Sequence, residues 1–495
     1  KLPDTVIHSA SPTAASANAA AGQPTAAHCL VRGTLEARTG VGEGGAPRRY
    51  GSGFELRLPA QWNGRFFFQG GGGTDGVIRP ATGIVSSTPG QTPALYRGYA
   101  VVSTDAGHQG ADASFGLDAQ SRVDWAYRSV DIVATAAKQL IAAYYGSPAR
   151  YSYFVGCSNG GRQGMMATQR YPAQFDGVVA GNPGYRLPMS SAAGMSRSRE
   201  FRKVSPPGAD GKPDLTQAFS KQELAILGKR VLAACDAQDG AADGLVENHK
   251  ACKFDIASAQ CAPGQTSDCL SAEKVNALRF HFKPGITKDG RAVSPGFPYD
   301  PGVAEPGWAM WTLGQSSVAR ANAGKPGPLQ YVFVTPPEAG FDASTADLDR
   351  DLHRFVISDA LMSADSTELS GYRLRGGKLI MYHGLADPVF SALDTVRYYD
   401  RLAQAQGGLA DTAKFARLFL VPGMNHCSGG AALDSFDTLT PLVDWVEKGI
   451  APATIAATGK AFPGRTRGLC PYPAYAKYKG QGSVDDAASF SCTVD

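Results

Sequence analysis

The sequence predicts an α/β protein, with parallel strands alternating with helices in a sheet covered on both faces. Three observations predict it. Strand-like apolar runs alternate with helical periodicity up to about residue 184, and again from about residue 371. A serine in Gly156-Cys157-Ser158-Asn159-Gly160 stands between a strand pattern and a helix pattern. The stretch 185–370 lacks the alternation and is rich in proline and irregular sequence, with four of the nine cysteines. The chain therefore divides into residues 1–184 and 371–495, two parts of one core, around an inserted lid at 185–370.

Each element has its own signal. Residues 1–27 are rich in Ala, Ser, Thr and Pro and read as an irregular lead-in. Residues 54–59 alternate like a strand. Residues 65–69 form an apolar run, read as a buried strand that enters Gly70-Gly71-Gly72-Gly73. Residues 99–104 are the next strand. Residues 123–145 have helical spacing, with Val130, Val133, Ala137 and Ile141 on one face. A strand at 151–155 leads into the serine, and a helix at 161–170 leaves it. After the insertion, a strand at 378–382 ends in His383-Gly384. A helix at 392–405, a strand at 416–421 and a helix at 442–448 follow.

Composition excludes several classes. At 495 residues, with 43% hydrophobic and 19% charged residues, the chain can bury a large globular core. The net charge of +4 comes without a Lys/Arg run, which argues against a nucleic-acid partner. No stretch approaches ~18 uninterrupted apolar residues, so no membrane span is expected. Short-range cysteine couples stand at Cys235 and Cys252, Cys261 and Cys269, and Cys470 and Cys492. None has the doubled C-x-x-C spacing of a zinc site. Read as disulfides, they imply an oxidising compartment, hence a secreted or periplasmic protein. The opposing reading is nine reduced core cysteines. The odd count leaves Cys29 over. Lys1 reads as a mid-chain start, and a removed leading segment is expected to have carried the partner of Cys29.

The chemistry centres on Ser158. G-x-S-x-G between a strand and a helix is a nucleophile elbow, and its triad follows in the order serine, acid, histidine. Asp387 follows the strand at 378–382, and His426 follows the strand at 416–421. Both fall at C-terminal strand ends, where open α/β sheets bind ligands. Asp394 is a rival acid, placed within a helix. His383 is read as a structural hydrogen-bonding histidine that could also support the site. A bond between Ser158 and His426 would draw Cys157 and Cys427 together, close enough for a disulfide. The oxyanion donors would be the N–H of Asn159 and one from the glycine run 70–73, where missing Cβ atoms let backbone approach substrate.

A second constellation is Asp236-Ala237-Gln238-Asp239-Gly240-Ala241-Ala242-Asp243-Gly244-Leu245. Carboxylates of Asp236, Asp239 and Asp243 with carbonyls of Ala241 and Leu245 suit Ca²⁺, which takes about six to eight oxygen ligands. A solvated acidic turn explains the same spacing equally well.

Together, Gly156-Cys157-Ser158-Asn159-Gly160-Gly161, Asp387, His426-Cys427, Asn63-Gly64-Arg65-Phe66-Phe67 and Cys470-Pro471-Tyr472-Pro473 resemble the tannase and feruloyl esterase family of α/β-hydrolases. The resemblance runs from about Cys29 to Cys492. It implies an α/β-hydrolase fold and a bridge between Cys157 and Cys427. It also implies a structural calcium in the lid and Gly73 as the second oxyanion donor. The implied activity is serine hydrolysis of small aromatic esters of feruloyl, hydroxybenzoyl or gallate type, with no organic cofactor. Phe390-Ser391-Ala392-Leu393-Asp394-Thr395 and Thr335-Pro336-Pro337-Glu338 resemble family members that cleave terephthalate monoesters, which makes those esters the alternative substrates. By that resemblance Phe390, Trp311 and Gly72 line the substrate pocket, and Arg320 faces a substrate carboxylate. A binding protein that keeps the scaffold without catalysis is the remaining alternative.

Overall fold

The computed structural model describes residues 4–15, 26–85, 90–315 and 326–495. Its organising feature is a nine-stranded sheet. The strands are β1 (Thr5–Thr13), β2 (His28–Val41), β3 (Pro47–Pro59), β4 (Arg65–Gln69), β5 (Ala100–Thr104), β6 (Tyr151–Cys157) and β7 (Gly177–Gly181). After a separate hairpin of β8 (Gly285–Ile286) and β9 (Ala292–Ser294), the sheet resumes with β10 (Lys378–Gly384) and β11 (Ala416–Val421). The order is β1-β2-β3-β5-β4-β6-β7-β10-β11. The run from β5 to β11 is parallel throughout. The β1, β2, β3 edge is antiparallel, so the sheet is mixed rather than wholly parallel as expected.

Alternation of side chains builds the two faces. In Phe66-Phe67-Phe68, the outer two rings join Phe154, Val178, Leu379 and Leu418 on one face. There they pack under Val130, Val133 and Ile141 of the helix Ser129–Tyr145. Phe67 joins Tyr153, Val179, Ile380 and Phe419 on the other face, under Leu442 and Trp445 of the helix Leu439–Lys448. A strand covered on both faces needs apolar residues in both phases, which is why these strands read as continuous apolar runs.

The lead-in expected to be irregular contains β1. Its side chains are nearly all exposed, so it carries no apolar alternation. Backbone pairing to β2, with one side-chain bond between His8 Nε2 and Thr34 Oγ1 at 2.9 Å, places it there. The predicted helix at 123–145 begins earlier, with Ala119–Val123 and a wide turn at Asp124–Arg128 before Ser129–Tyr145.

The chain leaves the sheet after β7 and returns at its neighbour β10. Between them lie the helices Leu187–Arg202, Lys221–Cys235, Ala272–Phe282 and His353–Met362. Part of this stretch has a core of its own around Phe201, Leu227, Val231, Leu278 and Trp308. Ala364, Leu369 and Tyr372 already pack with the sheet. No helix among the described residues is long and apolar enough to cross a membrane.

One carboxyl behind the sheet should govern alkaline stability. Asp105 follows β5 and is 1% exposed. Its Oδ1 accepts the N–H groups of Gly53 at 2.9 Å and Gly107 at 3.0 Å, while Oδ2 has no hydrogen-bond partner among the described residues. Burial pushes this carboxyl up to about 8 from an ordinary 3.8. Between those values the folded chain binds a proton that the unfolded chain does not. The stability it contributes is complete below the ordinary value and is lost as pH rises through about 8. Asp105→Asn cannot ionise, so its melting temperature relative to the native chain should climb from about pH 5 to about pH 9. A pH-independent difference would contradict this assignment.

Candidate active site

The nucleophile position is set by a tight turn between β6 and the helix Asn159–Arg170. Ser158 sits there at φ 64° and ψ −126°, backbone space that side chains rarely enter. The flanking glycines make the turn possible. A Cβ on Gly156 would lie 2.6 Å from the Gly160 carbonyl, and one on Gly160 would lie 2.6 Å from the Gly71 oxygen. The Ser158 N–H donates to the Gly181 carbonyl at 3.0 Å, pinning the turn to β7.

Ser158 Oγ lies 2.8 Å from His426 Nε2, and His426 Nδ1 lies 2.9 Å from Asp387 Oδ2. With Nδ1–H donating to the carboxylate, Nε2 is free to accept the serine proton. Asp387 is 1% exposed and fully satisfied. Its Oδ2 accepts the Asn182 side-chain amide at 2.6 Å. Its Oδ1 accepts the N–H groups of Val389 at 2.8 Å and Phe390 at 3.2 Å. Burial by itself would raise the Asp387 carboxyl, but the facing His426 and His383 outweigh it and hold the group well below the usual carboxylate range. The rival Asp394 lies in the helix Ala392–Ala405 and makes no bond to His426 among the described residues. His383 is fully buried, bonded to Thr395 Oγ1 at 2.7 Å and the Phe390 carbonyl at 2.9 Å, with Asp387 at 3.2 Å.

Cys157 and Cys427 form a disulfide with Cα atoms 6.0 Å apart, joining segments 270 residues apart in sequence. The couples Cys235–Cys252, Cys261–Cys269 and Cys470–Cys492 are also bridged, and Cys29 is free.

Behind Ser158 lies a carboxylate that the sequence reading missed. Asp75 Oδ1 accepts the Asn159 side-chain amide at 2.6 Å, and Oδ2 accepts that of Gln163 at 2.8 Å. Gln163 in turn accepts the Gly71 N–H at 3.0 Å, and Asn159 Oδ1 accepts Arg162 Nε at 2.8 Å. Asp75 thereby ties the glycine loop to the start of the helix after Ser158. Burial pushes its carboxyl up to about 6. Asn159 opens that helix, where the first N–H groups lack partners within the helix. Gly73 and Asn159 both line the space in front of Ser158.

That space is two adjoining cavities of about 320 and about 430 Å³, which share Gly72, Gly73, Arg79, Ser158, Trp311 and His426. The rings of Trp311 and Phe390 stand edge-on to His426, with centroids 5.3 and 5.4 Å away. Trp311, Phe390 and Gly72 are thus brought to the site. Arg320 lies outside the described residues.

The acidic loop lies elsewhere, around the turn Asp236–Asp239. Asp236 accepts the Gly244 N–H at 3.0 Å, and Asp239 accepts those of Ala241 at 3.1 Å and Glu247 at 3.0 Å. Asp243 pairs with the buried Arg467 and lies 3.8 Å from Arg465. As placed, no three acidic, histidine or cysteine side chains among the described residues converge as metal ligands. Glu247, absent from the sequence reading, adds a buried carboxylate there, its Oε1 3.4 Å from Arg467 Nε.

Comparison with known proteins places the chain. The family described as tannase and feruloyl esterase matches residues 39–493. The chain belongs to the tannase and feruloyl esterase family. Mono(2-hydroxyethyl) terephthalate hydrolase of Piscinibacter sakaiensis is 41% identical, across 94% of this chain and 85% of that protein. A probable feruloyl esterase of Arthroderma benhamiae is 32% identical, across 89% and 82%. The crystal structure of feruloyl esterase B from Aspergillus oryzae superposes with a TM-score of 0.83 at 24% identity, covering 100% of this chain and 97% of that one. That likeness shows the α/β-hydrolase fold.

Asn182, in the Asn182-Pro183-Gly184 stretch after β7, carries no sequence signal of its role, although its amide serves the acid. Asp75 gave no sequence signal beyond following the glycine run.

The bridge between Cys157 and Cys427 should matter to rate as well as stability. Replacing both by Ala should cost roughly 2–5 kcal/mol in denaturant unfolding. In the same variant kcat should fall at least tenfold at a temperature where the protein remains folded, because ångström-scale drift of reacting groups can cost ~100-fold. Native kcat in a destabilised double variant would limit the bridge to stability.

Proposed function

We propose that this protein is a secreted or periplasmic serine carboxylesterase that hydrolyses small aromatic esters of feruloyl, hydroxybenzoyl or gallate type through an acyl-enzyme. The observation that carries the reading is the bond chain Ser158, His426, Asp387, which opens into a cavity between the rings of Trp311 and Phe390. Ser158 Oγ attacks the ester carbon while His426 Nε2 takes its proton. The oxyanion is received by the N–H groups of Asn159 and Gly73. His426 then gives the proton to the departing alcohol, leaving the acyl group on Ser158. A water, deprotonated by His426, hydrolyses that ester and restores the serine. Asp387 holds the imidazole in one tautomer and balances the imidazolium. Residues 185–370 serve as the lid, contributing Leu187, Trp311 and Phe333 to the cavity wall. Four disulfides support an oxidising compartment.

Terephthalate monoesters are the second reading, favoured by the relative named for one at 41% identity. Turnover of methyl ferulate, methyl gallate and a terephthalate monoester should be measured side by side. At least one should be cleaved, and Ser158→Ala should lower kcat by 10³-fold or more, as loss of a triad nucleophile does. Failure on all three would refute aromatic specificity. Unchanged turnover in Ser158→Ala would remove Ser158 as nucleophile, and absence of any ester turnover in the native chain would leave the binding-protein alternative standing.

A structural Ca²⁺ in the loop of Asp236, Asp239, Asp243 and the carbonyls of Ala241 and Leu245 is part of the same proposal. Its support is the hard oxygen donor set and the added buried carboxylate of Glu247. Binding requires Asp236 and Asp239 to turn from backbone N–H groups toward the ion. Chelation should lower the melting temperature by several degrees, and Ca²⁺ at 100 times its Kd should restore about 2.7 kcal/mol. A melting temperature indifferent to chelator and to added Ca²⁺ would eliminate the site.

A further inference from the structure

Asp300 is a buried carboxylate that the triad chemistry does not use. It is 3% exposed and opens the short turn Pro301–Ala304, where its Oδ1 accepts the Gly302 N–H at 2.8 Å. That bond is the local cap expected of an aspartate before a turn. The other oxygen reaches much further. Oδ2 accepts the N–H of Gly423 at 3.1 Å, 123 residues on in sequence and three before His426.

The contact is returned from the other side. The side-chain amide of Asn425 donates to the Gly302 carbonyl at 3.2 Å and to the Ala386 carbonyl at 3.2 Å. Asn425 adjoins His426, and Ala386 adjoins Asp387. One amide, 2% exposed, therefore stands where the base loop, the acid loop and the 301–304 turn meet. The approach is too close for a side chain. A Cβ on Gly302 would lie 2.4 Å from the Ala386 Cβ and 2.7 Å from the Gly423 carbonyl oxygen.

The turn is anchored on the lid side as well. Val303 lies in the lid core with Leu227, Leu278 and Trp308. A Cβ on Gly228, in the helix Lys221–Cys235, would lie 2.9 Å from the Pro301 carbonyl oxygen. Burial pushes the Asp300 carboxyl up to about 6, against the pull of its two N–H donors. Above that value it is an anion, and its bonds to those N–H groups are of the stronger, charge-assisted kind.

We propose that Asp300 is a positioning residue for the catalytic base: through Gly423, and with Asn425 bonding in return, it holds the loop that carries His426 within reach of both Ser158 and Asp387. A turn cap needs only Oδ1, and the bond made by Oδ2 serves the base loop. The inserted residues thereby set the geometry of the triad as well as the wall of the cavity. This rests on the esterase reading above and adds to it a determinant of rate that does not itself line the cavity.

The test compares the native chain with Asp300→Asn, Asn425→Ala, the double variant and Leu278→Ala, at about pH 8, where native Asp300 is ionised. Asparagine keeps the shape but accepts through one oxygen only. In Asp300→Asn, kcat should fall roughly ten- to hundredfold on whichever aromatic ester the native chain cleaves best, while KM moves less than about threefold. The same factor should appear with p-nitrophenyl acetate, whose acyl group is too small to engage the aromatic wall, and in the rate at which a small fluorophosphonate labels Ser158. The double variant should be little worse than the worse single one, because both act on one contact. Leu278→Ala loosens the lid core without touching that contact, so it should lower the melting temperature and leave kcat near the native value. Asn425→Ala carries the test if Asp300→Asn does not fold. Native kcat in folded Asp300→Asn and Asn425→Ala, or an equal loss of kcat in Leu278→Ala, would overturn the proposal while leaving the esterase intact. A native chain that cleaves no ester would overturn the esterase reading and this inference with it.

Discussion

The contact between Gly156, Gly160 and the Gly71 carbonyl is the constraint on which the site depends. It lets β6 reverse into a helix within one residue, and that residue is held in a conformation it would not choose alone. The strain has a use. It lifts the Ser158 side chain clear of the sheet edge, toward a histidine that arrives from a strand three places across. The same contact brings the glycine loop against the start of the helix after Ser158, so the two proposed oxyanion donors come from segments packed on one turn. The Cys157–Cys427 bridge adds a covalent tie across it.

Burial acts on the carboxylates around this turn in opposite directions, and the partners decide which. Asp387, Asp75 and Asp105 are all removed from water. Asp387 faces two imidazoles and three N–H donors, and stays ionised. Asp75 and Asp105 have amide partners and lie near one another, and both are pushed upward. Only the first is equipped to balance an imidazolium. The others suit positioning: Asp75 spans the glycine loop and the helix after Ser158, and Asp105 ties β3 to the turn after β5.

Most of the parallel sheet and the triad candidates were legible in sequence. Residues 65–69, 151–155, 378–382 and 416–421 are apolar in both phases because both faces of these strands are covered, and the Gly-x-Ser-x-Gly spacing is itself a steric requirement. The edge was not legible. β1 is held by backbone bonds to β2 and presents exposed side chains, so it leaves no periodic trace. Asp75 and Asn182 were missed for a related reason: each acts through a single side-chain contact to a residue far away in sequence.

What the sequence by itself determined is what local sterics and periodicity demand: strands by apolar pattern, the elbow by its glycines, the order of serine, acid and histidine, and the short-range cysteine couples. Only the tertiary structure decided which acid meets His426. Asp387 and Asp394 are seven residues apart on the same strand–helix unit, and the choice rests on direction in space, which spacing does not encode.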